Sequence, residues 1–288
     1  YACYDDAGNI SPERTRALAR YLLGKGVKGL YVGGSSGECI YQSVQERKVI
    51  LENVMAEVGG KLTVIAHVAC NNTLDSQELA RHAESLKVDA IAAIPPIYFH
   101  LPPYGIAEYW NDISAAAPNT DFIIYNIPQL AGVALTPALL AEMQKNPRVI
   151  GVKNSSMPTQ DIQMWKDQGG PDFVVMNGPD EQFVSGLAMG ATGGIGGTFA
   201  VMPELFLKVW GLFYAGKVAE AAAVQNDICR IIYKMCSAHG NLYAVVKAIL
   251  KKHGCDIGSV RKPLPALIDS DLTVVDEASA MIDAAIAK

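Results

Sequence analysis

Seven short apolar runs, rich in Val, Ile and Tyr, recur along the chain, and amphipathic stretches separate most of them. Each run is four to six residues long, which is too short for a helix but typical of a strand. Because the runs are almost continuously apolar, both faces of each strand are predicted to be buried, as in a parallel sheet. The runs are GLYV (29–32), LTVIAH (62–67), DAIAAI (89–94), FIIYN (122–126), VIGVK (149–153), FVVMN (173–177) and TGGIGG (192–197), and a further run at 1–4 would make eight.

The amphipathic stretches carry the signals with which helices begin and end. In SPERTRALARYLLGKG, Ser11 is placed as an N-cap, Pro12 takes the first helical position, and a glycine follows the last turn. In SVQERKVILENVMAEVGG, Ser43 and Glu46 have the spacing of a capping box. Residues 73–87 and 136–146 follow the same logic, so helices are predicted between the strands.

The alternation of strand and helix, with a repeat of roughly 25–30 residues, predicts an α/β fold, and eight such units fit a (β/α)8 TIM barrel. A doubly wound open sheet remains the alternative, because periodicity does not show that a sheet closes. We predict that the barrel spans residues 1–215. The chain lacks an initiator Met and opens like a strand already under way, so its first strand is predicted to be incomplete at the N-terminus.

Only helical patterns follow residue 200, and they exceed the single helix that a last barrel unit needs. We therefore predict C-terminal helices, packed on the barrel, over residues 216–288. The helical patterns lie at 206–238, 243–254 and 276–288.

The composition of this 288-residue chain argues against several kinds of partner and cofactor. The net charge is -5 and no basic face appears, which argues against nucleic acid. No apolar run reaches about 18 residues, so no membrane span is predicted. The six cysteines lack C-x-x-C or zinc-type spacing and read as reduced core residues of a cytoplasmic protein. The five histidines form no metal-binding motif, so we predict no metal.

In a barrel of this type the active site lies at the C-terminal ends of the strands. Lys153 and Tyr125 end neighbouring predicted strands, so their side chains should approach each other. Burial at an apolar rim favours the neutral amine, which is a nucleophile and can form a Schiff base with a ketone. A phenol at Tyr125 could move protons during that condensation. The alternatives are that Lys153 pairs with an acid at the rim and that Tyr125 is a core residue with a hydrogen-bonded tip.

Other strand ends give weaker signals. GGSSGE (33–38) is a glycine-rich turn whose N–H groups and hydroxyls could hold a carboxylate or phosphate. The alternative is a tight turn that caps the next helix. Glu38 could also have a structural role, in which its carboxylate accepts hydrogen bonds from backbone N–H groups. GATGGIGG (190–197) lies within a predicted strand, so its glycines are more simply explained by the close approach of a neighbouring backbone segment. A phosphate-binding site near the last two strands is the alternative. His67 alone is more typical of a satisfied hydrogen-bonding histidine than of a metal ligand.

Five motifs, in order and spacing, resemble those of the pyruvate-dependent class I aldolases, the family of dihydrodipicolinate synthase and N-acetylneuraminate lyase. The resemblance covers nearly the whole chain, and although no single motif is specific, the set is. It implies the same barrel with extra C-terminal helices, a homotetramer, and a Schiff-base mechanism that needs no cofactor. The motifs are YVGGSSGE, IAHV, YNIP, GVKNSS and NGPDE.

The resemblance also implies roles for individual residues. Lys153 matches the Schiff-base lysine of the family, and Tyr125 matches its proton-shuttling tyrosine. Ser35 and Ser36 match the pair that holds the pyruvate carboxylate, with Ser in place of Thr at the second position. Tyr98 matches a tyrosine that, in some members, crosses a subunit contact to complete the proton relay.

One position distinguishes between branches of the family. The synthases carry an Arg two residues after the proline of the YNIP-like motif, and this Arg pairs with a substrate carboxylate. In this chain the same position is Leu130, which cannot pair with a carboxylate. The resemblance therefore implies the sialic-acid lyases, which cleave N-acetylneuraminate to pyruvate and N-acetylmannosamine. Gly178, Asp180 and Glu181 match their Gly-x-Asp-Glu segment, whose carboxylates accept hydrogen bonds from sugar hydroxyls. The same two acids also suit a helix N-terminus.

At three positions this sequence differs from the pattern of the sialic-acid lyases, and the resemblance implies that all three lie where the sugar tail binds. Gly197 replaces a serine, Pro179 replaces a larger residue, and Ser155 stands where a threonine-containing segment is usual. They leave the reaction class intact but open the identity of the aldehyde product. The alternatives are a sister aldolase or dehydratase for another sugar-derived 2-keto acid and a dihydrodipicolinate-synthase-like protein with a different substrate. Two rivals from other classes are a non-catalytic keto-acid sensor and a barrel enzyme acting on phosphorylated sugars.

Overall fold

The computed structural model describes residues 1–288. Its contacts divide the chain into two compact units: residues 29–32 and 59–195 form one, and residues 1–28, 33–58 and 196–288 form the other. All seven strands lie in the first unit. They are β1 (Gly29–Val32), β2 (Thr63–His67), β3 (Ala90–Ala93), β4 (Asp121–Asn126), β5 (Val149–Asn154), β6 (Val174–Asn177) and β7 (Gly193–Gly194).

The strands pair in parallel and in the order in which they occur along the chain, from β1 to β7. A doubly wound sheet reverses its strand order at a switch point, and no reversal occurs here, so that alternative is wrong. The predicted fold class, an α/β barrel of the TIM type with a C-terminal helical extension, is confirmed. All seven predicted strands form, and only the last is much shorter than predicted.

One face of the sheet is covered by small and branched side chains that form a buried cluster. A buried cluster of Ile65, Ala90, Ala92 and Ile123 comes from three neighbouring strands, and the ring of Tyr31 packs against it. The pairing of β4 with β5 contains a bulge: Phe122 and Ile123 are opposed by residues 149 and 151, so residue 150 is extra. After the bulge, the register places Tyr125 beside Lys153 and Asn126 beside Asn154.

Residues 1–4 do not form the predicted eighth strand. Tyr4 makes only an isolated antiparallel bridge to Ile10, and its N–H donates to the carbonyl of Ile257 at 3.1 Å. The carbonyl of Cys3 accepts from the N–H of Ser11 at 2.9 Å. The backbone groups of this segment therefore have partners outside the parallel sheet.

The predicted helices between the strands form with the predicted caps. Ser11 accepts from the N–H of Arg14, and Ser43 and Glu46 bond each other's N–H groups at 3.2 and 2.8 Å, which is the capping box. The helices are α1 (Pro12–Gly24), α2 (Val44–Val58), α3 (Thr73–Ser85), α4 (Pro103–Ala115), α5 (Pro128–Ala131), α6 (Pro137–Met143), α7 (Gln160–Gly169), α8 (Phe183–Ala188), α9 (Pro203–Tyr214), α10 (Val218–Met235), α11 (Leu242–Lys252) and α12 (Asp271–Ile286).

After β7 the chain is helical, as predicted, and α10 packs against both α9 and α12. The proposed division at residue 215 remains a prediction. All six cysteines are free thiols, but only Cys3 and Cys255 are buried and Cys236 is exposed, so the expectation of core residues holds in part. None of the helices combines the length and the apolar character that crossing a membrane requires.

Candidate active site

Lys153 lies one residue from the C-terminal end of β5 and is 6% exposed. Its Nζ is 3.9 Å from the ring centroid of Tyr125 and 4.0 Å from that of Tyr31. The contacts that the structure gives this amine are with aromatic rings and none is with a carboxylate, so the alternative of an ion pair at the rim finds no support. The predicted approach of Lys153 and Tyr125 is confirmed.

The rings of Tyr31 and Tyr125 contact this amine, and the ring of His67 packs near both of them. Tyr31 and Tyr125 meet edge to face at 5.6 Å, and His67 lies 5.9 Å from Tyr125 and 6.2 Å from Tyr31. His67 is buried, and its Nε2 accepts from the N–H of Ile94 at 3.4 Å, which confirms its interpretation as a hydrogen-bonded histidine. Sequence reasoning missed Tyr31. The only sequence signal at Tyr31 is an aromatic residue near the end of a short apolar strand, and a core residue gives the same pattern.

Two buried asparagines fix the ends of β4 and β5. Nδ2 of Asn126 donates to Oδ1 of Asn154 at 2.8 Å, and Nε1 of Trp165 in α7 donates to the same oxygen at 3.0 Å. Asn154 in turn donates to Oγ of Ser156 at 2.8 Å. Because residues alternate along a strand, Asn154 faces α7 while Lys153 faces the interior. This network lay outside the predicted site.

Ser155 and Gly178 follow neighbouring strands and lie in contact. The N–H of Ser155 donates to Asn126 O and the N–H of Gly178 donates to Asn154 O, both at 2.7 Å. A side chain at position 178 would overlap Ser155 and would lie 2.8 Å from the carbonyl oxygen of Asn154. Glycine at 178 is therefore required by the close approach of the two strand ends.

The two predicted acids begin a single helical turn, Asp180–Gln182, directly before α8. Asp180 is buried and Glu181 is exposed, so the two carboxylates have different surroundings. The turn is held by Asn177, whose Nδ2 donates to the carbonyl of Pro179 at 2.7 Å. Both acids lie in the first helical turn, which suits the helix-terminus interpretation and leaves sugar binding open.

The glycine-rich turn at 33–38 belongs to the other unit. Ser35 and Ser36 are half-buried in it, and the N–H of Glu38 closes the turn on Ser35 O at 3.0 Å. Glu38 itself is buried: Nζ of Lys247 lies 2.6 Å from its Oε1, and the N–H of Arg261 donates to its Oε2 at 2.9 Å. The predicted structural use of Glu38 is confirmed for that backbone N–H, whereas its buried partner Lys247 was not foreseen.

Tyr98 and Gly197, two further predicted residues, have neighbours of other kinds. Tyr98 is 87% exposed, has a φ of 80°, and its ring packs edge to face on Phe99 at 5.1 Å. Gly197 accepts a hydrogen bond from the hydroxyl of Tyr1, and a Cβ at this position would lie 3.7 Å from the ring of Tyr243. Position 197 therefore has room for a small side chain.

A parallel α/β barrel with a buried lysine at the end of one strand, and a tyrosine ring against its amine, is the arrangement of the class I lyases, whose nucleophile is a lysine amine. This protein is such a Schiff-base lyase. Residues 1–281 match the model of the Dihydrodipicolinate synthetase family, and the chain belongs to that family.

Within this family, the chain is similar to several N-acetylneuraminate lyases. The chain is 68% identical to the N-acetylneuraminate lyase of Mediterraneibacter gnavus over 283 residues, which covers 98% of this chain and 90% of the relative. It is 35% identical to the N-acetylneuraminate lyase of Salmonella agona, over 91% of this chain and 87% of that one. A solved structure of a catalytic-lysine mutant of Ruminococcus gnavus sialic acid aldolase superposes with a TM-score of 0.98 at 67% identity, covering 99% of this chain and 94% of that chain.

Proposed function

We propose that this protein is an aldolase that cleaves N-acetylneuraminate to pyruvate and N-acetylmannosamine through a Schiff base on Lys153. The observation that carries the proposal is the buried Nζ of Lys153, 3.9 Å from the ring of Tyr125, in a chain 68% identical to an N-acetylneuraminate lyase. Leu130 also supports this substrate over that of the synthases, because the synthases have an arginine at this position that pairs with a carboxylate of their second substrate.

The first half of the reaction builds the Schiff base. The neutral amine of Lys153 attacks the C2 ketone of the open-chain sugar acid, forming the Nζ–C2 bond. A proton supplied through Tyr125 allows the C2 oxygen to leave as water, which gives a protonated imine. The positive nitrogen is the electron sink for the next step.

The second half breaks the carbon chain and returns the amine. A base, for which Tyr125 is the candidate, takes the proton of the C4 hydroxyl; the C3–C4 bond breaks, and its electron pair forms the C2–C3 double bond of an enamine. N-acetylmannosamine leaves as the aldehyde. Tyr125 returns the proton to C3, and water hydrolyses the resulting imine to pyruvate and free Lys153.

The remaining predicted residues bind the substrate in this proposal. Ser35 and Ser36 hold the carboxylate next to the ketone through their hydroxyls. Asp180 and Glu181 accept hydrogen bonds from the hydroxyls of the sugar tail, and Gly178 and Ser155 form the neighbouring wall. In the same proposal, Gly197 takes the position at which the resembling lyases have a serine that contacts the sugar tail.

The test is pyruvate release from N-acetylneuraminate, followed with lactate dehydrogenase. The unaltered protein is expected to release pyruvate, and Lys153→Ala is expected to lose essentially all turnover. Lys153→Arg keeps a positive charge but cannot form an imine, so it separates loss of the nucleophile from loss of charge. Turnover by Lys153→Ala would refute the mechanism, whereas no release by the unaltered protein would direct the search to other 2-keto acids.

We propose in addition that the protein works in the cytoplasm as a homotetramer. The exposed pair of rings at Tyr98 and Phe99, 87% and 71% exposed, supports a subunit contact at this loop. In this proposal Tyr98 reaches the site of a neighbouring copy, which is the role that the family resemblance gives to it.

A further inference from the structure

We propose that Tyr31 is a further catalytic residue, whose ring face stabilises the positive nitrogen that forms on Lys153 during turnover. This inference rests on the proposed Schiff-base function and deepens it. The contact that carries it is between the Nζ of Lys153 and the ring of Tyr31, 4.0 Å from nitrogen to centroid.

The Tyr31 ring is held in place from several sides. It packs against the interior cluster that contains Ile65 and Ile123. Tyr125 meets it edge to face at 5.6 Å, and His67 lies tilted against it at 6.2 Å. A ring fixed in this way presents its face to Nζ without losing conformational freedom at the moment of reaction.

The chemistry of the site creates a need for such a ring. Amine, ketone and one proton give the protonated imine and one water: the Nζ–C2 bond forms, the C2–O bond breaks, and a full positive charge appears at a buried nitrogen. Burial disfavours that charge. An aromatic face within about 6 Å of a cation attracts it, and the attraction grows when the cation is desolvated.

Tyr31 therefore favours the protonated imine over the carbinolamine from which it forms by loss of water, because the nitrogen of the carbinolamine is neutral. An interaction that strengthens along the reaction raises the rate, whereas one that is equal in both states does not. The two tyrosines then have different tasks: Tyr125 is needed for its hydroxyl, and Tyr31 is needed for its ring.

The experiment traps the imine with pyruvate alone. Protein is equilibrated with a series of pyruvate concentrations and reduced with borohydride, and the modified fraction is measured by mass spectrometry. For Tyr31→Leu, which keeps an apolar side chain but has no ring, the half-saturating pyruvate concentration is expected to rise about tenfold. Tyr31→Phe restores the ring and is expected to come back to within about threefold of the unaltered protein.

A second series keeps the proposal testable if Tyr31→Leu does not fold. Phenylalanines with one, two and three ring fluorines are placed at position 31; their shape is nearly constant while the ring face becomes steadily less negative. Half-saturation is expected to rise with each fluorine. A flat series, or Tyr31→Leu folded and trapping as well as Tyr31→Phe, would overturn the role of the ring.

The control is Tyr125→Phe, which keeps a ring against Nζ but removes the hydroxyl. It is expected to trap pyruvate at equilibrium while losing about a hundredfold or more in the rate of N-acetylneuraminate cleavage. Trapping with pyruvate also separates the two proposals. If the unaltered protein is trapped but does not cleave N-acetylneuraminate, the proposed substrate fails and the Tyr31 comparison still stands.

Discussion

Gly197 is the residue at which the proposed contact with the sugar tail differs most simply from the pattern of the resembling lyases, which have serine there. Its backbone does not need glycine, because its φ lies outside the left-handed range and a Cβ would make an ordinary contact, 3.7 Å, with Tyr243. The fold therefore does not require glycine at position 197, so a substitution there can test its proposed role in binding the sugar tail.

We predict that Gly197→Ser lowers the KM for N-acetylneuraminate about fivefold, which is the size of one added hydrogen bond to the tail. The thermal unfolding midpoint should stay within about 1 °C, since the new Cβ meets no clash. Steady-state kinetics and a thermal melt measure the two effects. An unchanged KM would show that the tail does not reach position 197.

At the scale of elements, a buried ion pair joins the turn at 33–38 to helix α11. Glu38 and Lys247 are both nearly inaccessible, and Lys247 also donates to the carbonyl of Ser259 at 2.7 Å. Burial lowers the pKa of Lys247, while the nearby carboxylate of Glu38 opposes that shift. The pair fixes the turn that carries Ser35 and Ser36 by contacts more than two hundred residues away in the sequence.

Lys247→Met is predicted to lower the free energy of unfolding by about 3–5 kcal/mol, because it leaves the carboxylate of Glu38 buried without its cation. Adding Glu38→Gln should recover much of that loss, since the amide oxygen can still accept from Arg261. Lys234→Met is the matched control: its pair with Glu277 is half-exposed, so its loss should cost less than about 1 kcal/mol. Urea unfolding gives all three values, and equal losses at 247 and 234 would contradict this account.

Asp271 joins the start of α12 to the turn before α11. Its carboxylate accepts from the N–H groups of Ile268, His239 and Gly240 at 2.7–3.0 Å, and these bonds hold the pKa of Asp271 below its usual range. A carboxyl whose pKa is lower in the folded state contributes stability above its unfolded pKa and loses it as the pH falls through the folded value.

We therefore predict that Asp271→Asn lowers the melting temperature at pH 7, and that the difference from the unaltered protein shrinks as the pH falls below about 4. Asp269→Asn, at an exposed position two residues away, is the control and should change little. Melting temperatures across this pH range are the measurement. A constant difference between pH 7 and pH 3 would mean that charge on Asp271 is not involved.

At the scale of the whole molecule, the exposed rings of Tyr98 and Phe99 are the proposed contact between subunits of the tetramer. We predict that light scattering shows a tetramer of this 30.8 kDa chain. Tyr98→Ala is predicted to reduce turnover more than it weakens assembly, because Phe99 would remain in the proposed subunit contact. Sedimentation and kinetics on the same sample test this. A monomer with full activity would remove both the tetramer and the relay through Tyr98.

Much of this architecture could be predicted from sequence because its signals are local. Short apolar runs predicted β1–β7, and the strand-end rule brought Lys153 to Tyr125. Tyr31 was missed because an aromatic residue in an apolar strand has the same pattern whether it faces the reactive amine or the core. The pairing of Glu38 with Lys247 was missed because no local pattern records a contact over 209 residues.

The bulge in β5 has a consequence for how activity and folding relate. The extra residue at position 150 sets the parity of the rest of the strand, so the amine of Lys153 faces inward and Asn154 faces α7. Pairing without the bulge would exchange them, placing a cation against a tryptophan and an amide in the barrel. Such a molecule would be both badly packed and unable to make an imine. At saturating pyruvate, the borohydride-trapped fraction of a preparation therefore gives the fraction of molecules in which β4 and β5 are paired in the correct register.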